Sequence, residues 1–319
     1  MKSKLIIIAL VLLGSNLNAQ ELNKKSVKSI INQIPELIIS NYVNKKKGKQ
    51  IAFQFKNEVN AGKYYKITHP DTLASALTKD LKRISNDGHM YVNHLTKNTK
   101  KTTEATDWKT EEKSLEIKLN YGFTEIQILE NNTGYIKIVE FMHPKRSMQT
   151  AVAAMKFVEN TDNLIIDIRD NGGGYPGILQ YIMNHYFEGP PTLLSTTYFS
   201  DPKMTPYTNY TSDLVYGKLR IGKPLYILIN EKTGSASEYF AYTLQAFGKA
   251  VIVGEISGGS AHNNEYFPLN KDFRISISTA MPINEITKTN WEVKGVVPDI
   301  EIKSEKAKEK ALDMILKNK

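Results

Sequence analysis

Two segments of the chain, Asn163-Leu-Ile-Ile-Asp-Ile168 and Leu225-Tyr-Ile-Leu-Ile229, are nearly continuous apolar runs of strand length, and each leads into a glycine-bearing turn. A strand that is apolar on both faces must be covered on both faces, which requires a sheet with helices above and below it. The neighbouring segments fit that demand. Gly134 to Val139 and Ala250 to Val253 read as further strands, and Met148 to Val158, Pro176 to Tyr186 and Glu238 to Ala246 read as helices between strands. Phe273 to Thr279 and the stretch ending Gly295-Val-Val-Pro-Asp299 read as shorter, partly antiparallel strands. Ser304 to Lys317 reads as a closing amphipathic helix with Ala307, Ala311, Met314 and Ile315 on one side. The expected fold class is α/β, with loops at the strand ends as the natural place for chemistry.

The first part of the chain has a different pattern. From Ser26 to about Leu95 apolar residues recur at helical spacing, as in Ile30, Ile31, Ile34, Leu37 and Ile38, and again in Leu73, Ala76, Leu77 and Leu81. A helix is expected to start at Thr72-Leu73-Ala74-Ser75, just after His69-Pro70-Asp71, and to deliver Asp87-Gly88-His89 at its exit. Residues 98–113 are rich in Lys, Thr and Glu and read as a linker or exposed loop. Lys2 and Lys4, the apolar run Leu5 to Gly14 and Asn18-Ala19-Gln20 together read as a cleavable secretory signal. The expected organisation is therefore a signal peptide at 1–19, a helical N-terminal domain at 20–97, the loop at 98–113, an α/β core at 114–303 and a C-terminal helix at 304–319. Export makes the expected location secreted or periplasmic.

Composition narrows the function classes. With 41% hydrophobic and 24% charged residues the 319-residue chain has ample material for a packed core. The signal run of about 10 residues falls short of the roughly 20 that span a bilayer, so no integral membrane span is expected in the mature chain. The absence of cysteine removes disulfides, a thiol nucleophile and Cys-ligated metals. The formal charge is +9, or +7 without the two signal lysines, and the lysines lie in scattered groups such as Lys45-Lys46-Lys47. That pattern reads as a solvated surface, and no nucleic-acid partner is expected. No histidine pair has metal-ligand spacing, and neither a P-loop ending nor a dinucleotide fingerprint occurs, so no metal and no cofactor is expected. Nothing in the chain speaks to oligomeric state.

Ser235, in Gly234-Ser235-Ala236-Ser237-Glu238, stands where a buried strand turns into a helix. A hydroxyl there faces free helix N–H groups that can stabilise an oxyanion. The same residues also fit a capping box, with Ser235 and Glu238 satisfying each other's backbone donors. Asp167-Ile-Arg-Asp-Asn-Gly-Gly-Gly174 follows the other buried strand and reads either as a plain loop or as a backbone cradle for an oxygen. Among the six histidines, His89 is the first candidate for a general base because it sits in a Gly-His turn; His262 is the second, as a substrate contact.

These motifs, in this order, resemble the tail-specific or C-terminal processing serine peptidase superfamily, and in particular its branch with repeats like those of interphotoreceptor retinoid-binding protein. The resemblance runs from Leu77-Thr-Lys-Asp-Leu81 through Ser85-Asn-Asp87-Gly-His89, then Asn120-Tyr-Gly-Phe123 and Gly134-Tyr-Ile136. It continues through Asp167 to Gly174, Gly234 to Glu238, Val253-Gly-Glu255 with Gly258-Gly259, and Gly295 to Asp299. It implies a ClpP/crotonase-like core with crossover helices, a polypeptide substrate and Ser235 as nucleophile. It further implies an oxyanion hole from the N–H of Ala236 and of Gly172 or Gly173, with His89 as base, Glu292 behind it and Glu238 as a weaker tuning group. The chain departs from the pattern at two positions: Ser260 stands where processing proteases carry a catalytic lysine, and Gly88 stands where the histidine-based branch carries a bridging serine. The roughly 35 residues between the helical part and the core leave no room for an inserted PDZ domain. The retinoid-carrier relatives keep a second expectation open, a weakly catalytic or non-catalytic binder of apolar ligands or peptides on the same fold.

Overall fold

The computed structural model describes residues 21–95, 114–213 and 215–317; the signal segment and the whole of the expected linker lie outside them. The two continuous apolar runs form the central parallel strands β4 (Asn163–Asp167) and β7 (Leu225–Ile229) of a six-stranded sheet. They are flanked by β2 (Phe123–Leu129) and β3 (Thr133–Ile138) on one side and by β8 (Val251–Gly254) and β11 (Ile300–Glu301) on the other. The sheet order is β11-β8-β7-β4-β3-β2, and only the β2–β3 pair is antiparallel.

The alternation hidden inside the apolar runs becomes visible in the packing. Leu164 and Ile166 of β4, with Leu225, Ile227 and Ile229 of β7, point into a core shared with helices α5 (Pro144–Phe157), α6 (Pro176–Asn184) and α7 (Ala236–Ala246). Ile165, Tyr226 and Leu228 point to the opposite face, where α8 (Ala307–Lys317) covers them with Ala307, Ala311 and Ile315. Both faces are thus buried, as the apolar runs require.

The N-terminal part supplies α1 (Lys24–Ile31), α2 (Ile34–Asn41), α3 (Lys45–Asn60) and α4 (Pro70–Ser85). Asn86, in the left-handed region at φ 45°, ends α4 and turns the chain into Asp87-Gly88-His89. The next residues are not helical. They form β1 (Tyr91–His94), which pairs antiparallel with β10 (Phe273–Asn284) of a second, five-stranded sheet. That sheet runs β1-β10-β5-β6, with β5 at Leu193–Phe199, β6 at Tyr207–Tyr210 and β9 (Asn263–Pro268) also on β10. The helices bury Val27, Ile30, Ile34, Leu77 and Leu81 against Phe273, Ile275 and Ile277 of β10.

Two strand expectations change. Phe273 to Thr279 is only the first part of a 12-residue strand that holds β1, β5 and β9 together. The Gly295 to Asp299 stretch is irregular: Gly295 sits at φ 72° with Pro298 close behind, and pairing begins only at Ile300. If the helices depend on β10, Ile275→Ala should cost about 2–5 kcal/mol in urea unfolding. Phe53→Ala, at a side chain 66% exposed on α3, should stay within about 0.5 kcal/mol.

Candidate active site

Because β4 and β7 are parallel neighbours, the loops at their C-terminal ends emerge side by side and are stitched together. Thr233 Oγ1 donates to the Ile168 carbonyl (3.0 Å), Gly234 N–H to the Asn171 carbonyl (3.0 Å) and Asp170 N–H to Asn230 Oδ1 (2.9 Å). Ser235 lies at the crest of the second loop with φ 52° and ψ −117°. An ordinary N-cap adopts extended backbone angles. A non-glycine residue at positive φ stores strain of order 1–3 kcal/mol, and the surroundings must hold it there. The sharp strand-to-helix turn so formed presents the serine side chain above the sheet.

Glu238 does the holding. Its side chain is fully buried. Oε2 accepts the Ser235 N–H (2.8 Å) and the Ser260 N–H (2.9 Å), while Oε1 accepts Ser257 Oγ (2.6 Å) and the Gly259 N–H (2.6 Å). The capping-box pairing with Ser235 is present, yet it is one part of a four-donor knot joining the turn to the loop 257–260. Burial holds the Glu238 pKa above the ordinary carboxyl value, although the four donated bonds pull the other way.

The glycine loop presses against the serine turn. A Cβ on Gly173 would lie 2.9 Å from Ala236 N, the Gly234 carbonyl oxygen and Ser235 Cβ, and Gly173 has φ +115°. Its N–H is already donated to Asn171 Oδ1 at 2.9 Å. Gly172 is exposed, and no partner takes its N–H among the described residues. Ala236 opens helix α7, where the first N–H groups have no partner within the helix. Of the two glycines expected to offer a donor, Gly172 is the one with an N–H to spare, and Gly173 serves close approach.

The imidazoles are arranged differently from expectation. Asp87 is fully buried; its Oδ1 accepts the His89 N–H (2.9 Å), and its Oδ2 accepts Tyr42 OH (2.8 Å) and lies 3.2 Å from His262 Nδ1. Burial alone would raise the Asp87 pKa, but His262 and the other donors hold it down at about 2. Glu292 Oε2 accepts the N–H groups of Ala261 (2.8 Å) and His262 (3.1 Å), and Oε1 lies 3.6 Å from His262 Nδ1. Burial, followed by the nearby Asp87 charge, raises the Glu292 pKa. Glu292 is therefore paired with His262, while His89 Nδ1 is buried with no hydrogen-bond partner among the described residues. His262, expected to contact substrate, has a side chain only 6% exposed between two carboxylates.

The two departures noted in the sequence meet in space. A Cβ on Gly88 would fall 2.6 Å from Ser260 Oγ, so the serine side chain fills the volume that a side chain at 88 would need. Neither residue carried that signal alone, because they are separated by most of the chain.

Ser235 and Ala236 line a cavity of about 520 Å³ together with Ala261, Asn263 and Trp291. Its opposite wall is the β5–β6 hairpin, through Ser195, Thr197, Tyr207 and Asn209. Tyr239 OH ties that wall to α7 by accepting from Asn209 Nδ2 (2.6 Å) and by a 3.1 Å bond with Ser195 Oγ. No charged side chain lines the cavity among the described residues.

Residues 132–302 match the family profile described as peptidase family S41. The chain belongs to that family. Residues 17–126 match the profile of the N-terminal domain of S41 peptidases in eukaryotic IRBP. Among curated relatives, the chloroplastic carboxyl-terminal-processing peptidase 3 of Arabidopsis thaliana is 28% identical over 53% of this chain and 31% of the relative. The carboxy-terminal processing protease CtpB of Bacillus subtilis is 25% identical over 60% of this chain and 38% of the relative. The chain thus spans well under half the length of these relatives. Among solved structures, a candidate peptidase from Parabacteroides merdae superposes with TM-score 0.64 at 18% identity, covering 91% of this chain and 96% of the other. The photosystem II D1 C-terminal processing protease gives TM-score 0.55 at 14% identity, covering 88% and 94%. At such identities the likeness is one of S41 fold.

Glu238→Gln turns an NH2 toward backbone donors and leaves at least one of them unsatisfied. It should cost about 1–3 kcal/mol for each donor orphaned, measured by urea unfolding.

Proposed function

We propose that the chain is an exported serine peptidase of the S41 family acting on polypeptides. The observation that carries this reading is the backbone of Ser235, a strained serine at a helix N-terminus opening on the cavity beside the Ala236 N–H, the first of the helix. Ser235 Oγ attacks the scissile carbonyl carbon as His89 takes the hydroxyl proton. The carbonyl oxygen becomes an oxyanion held by the N–H groups of Ala236 and Gly172. Collapse breaks the C–N bond, with the proton passing from His89 to the leaving amine. Water then attacks the acyl-enzyme by the same route and frees Ser235. Glu238 keeps the strained turn in place, and Glu292 acts on the imidazole region through His262. The N-terminal 1–19 segment supports export, and the names of the relatives support processing near substrate C-termini.

The uncharged cavity also favours a second reading, a carrier of apolar ligands. Turnover separates the two. A peptidase should hydrolyse a casein-derived peptide mixture in a Ser235-dependent way, with Ser235→Ala removing activity. A carrier would bind an apolar fluorophore and leave the peptides intact in wild type and variant alike.

The pH profile follows from the setting of His89. Burial lowers its pKa below the ordinary imidazole value of 6.5, with Asp87 opposing and His262 and Lys82 assisting. The neutral base is needed, and it predominates above the His89 pKa. The acid limb of kcat/KM should therefore fall below pH 6.5, with a plateau through neutrality; an acid limb centred above pH 7 contradicts this assignment.

A further inference from the structure

The segment carrying His89 meets the core at a seam beside the nucleophile, and the chemistry just described does not say what holds that seam together. Two contacts build it. One is polar: His262 Nδ1 reaches Asp87 Oδ2 across 3.2 Å, and Asp87 Oδ1 accepts the His89 N–H at 2.9 Å. The other is steric: Ser260 Oγ fills the space beside Gly88. Both core residues belong to one short loop whose backbone is tied down on either side. The Ser260 N–H is held by the same Glu238 oxygen as the Ser235 N–H, and the Ala261 and His262 N–H groups are held by Glu292.

A continuous chain of short contacts therefore runs from the Ser235 backbone through Glu238, the loop 259–262, His262 and Asp87 to the His89 backbone. Its link from His262 to Asp87 joins residues 175 positions apart in the sequence. Among the described residues, Ser276 Oγ donates to the His89 carbonyl at 2.6 Å, and His89 Nδ1 has no hydrogen-bond partner. We infer that His262 is a positioning residue, which sets the place of His89 relative to Ser235 by clamping Asp87 to the core. The inference rests on Ser235 and His89 being nucleophile and base. His262 fits the task because it faces carboxylates from both sides of the seam, Asp87 from the N-terminal part and Glu292 from the core, and is almost wholly buried between them. A misplacement of the base by about 1 Å costs roughly 100-fold in rate, so the clamp is worth testing kinetically.

The experiment measures kcat, KM and the rate of Ser235 modification by a fluorophosphonate, each normalised to folded protein. His262→Ala should lower kcat and the labelling rate by roughly 100-fold with KM changed only a few-fold. His262→Gln, which restores a side-chain N–H donor, should recover part of the loss. Should His262→Ala fail to fold, the steric contact gives an independent variant: Gly88→Ser should slow labelling by forcing the seam apart, and adding Ser260→Gly should restore it.

Folded His262→Ala labelling at the wild-type rate overturns the inference, as does a Gly88→Ser defect that Ser260→Gly leaves untouched. Loss of all labelling in His262→Gln while His89→Ala labels normally would make His262 the base and overturn it too. Hydrogen exchange at the His89 amide reads the clamp without activity, and it should accelerate in His262→Ala and stay unchanged in Ser235→Ala. A wild-type enzyme with no Ser235-dependent labelling defeats the peptidase reading, and the exchange result then decides the clamp alone.

Discussion

The site depends on one buried carboxylate. Glu238 gathers three backbone N–H groups and a hydroxyl from two loops, so both oxygens of a carboxyl group shut away from water have hydrogen-bond donors. The bond to the Ser235 N–H supports a backbone conformation that serine does not choose freely. The bonds to Gly259 and Ser260 fix the loop that goes on to Ala261 and His262. Strain at the turn and order in the loop thus have the same source, and the reactive geometry is over-determined by its surroundings.

The sheet makes that arrangement reachable. Parallel neighbours β4 and β7 bring two turns to one edge, and glycine at 173 lets them touch where any side chain would intervene. The N-terminal helices add a third participant through β1, which carries the chain from His89 into the second sheet beside β10. In this fold the proposed base is thus set by sheet pairing as well as by side-chain contacts, and its segment abuts the core at Gly88 and Ser260.

Much of the framework was legible because it rests on local pattern. The double-sided burial of β4 and β7 follows from their unbroken apolar runs, and the face of α8 follows from the spacing of Ala307, Ala311 and Ile315. Features set by distant partners were less legible. Ser235-x-x-Glu238 reads equally well as a cap because a sequence carries no φ value, and the donors from Ser257, Gly259 and Ser260 are 19 to 22 positions from Glu238. The resemblance puts Glu292 behind His89, whereas in the fold Glu292 Oε1 lies 3.6 Å from His262 Nδ1. The coupling of Gly88 to Ser260 was invisible for the same reason, since each looked like an isolated departure.

The proposed chemistry stands on the reactivity of one hydroxyl. Its most direct measurement is the site of covalent modification: the protein is treated with a fluorophosphonate, digested, and the adduct located by tandem mass spectrometry. The strained turn predicts a single stoichiometric adduct on Ser235. An adduct on Ser260 or another serine, or no adduct on folded protein, contradicts the account.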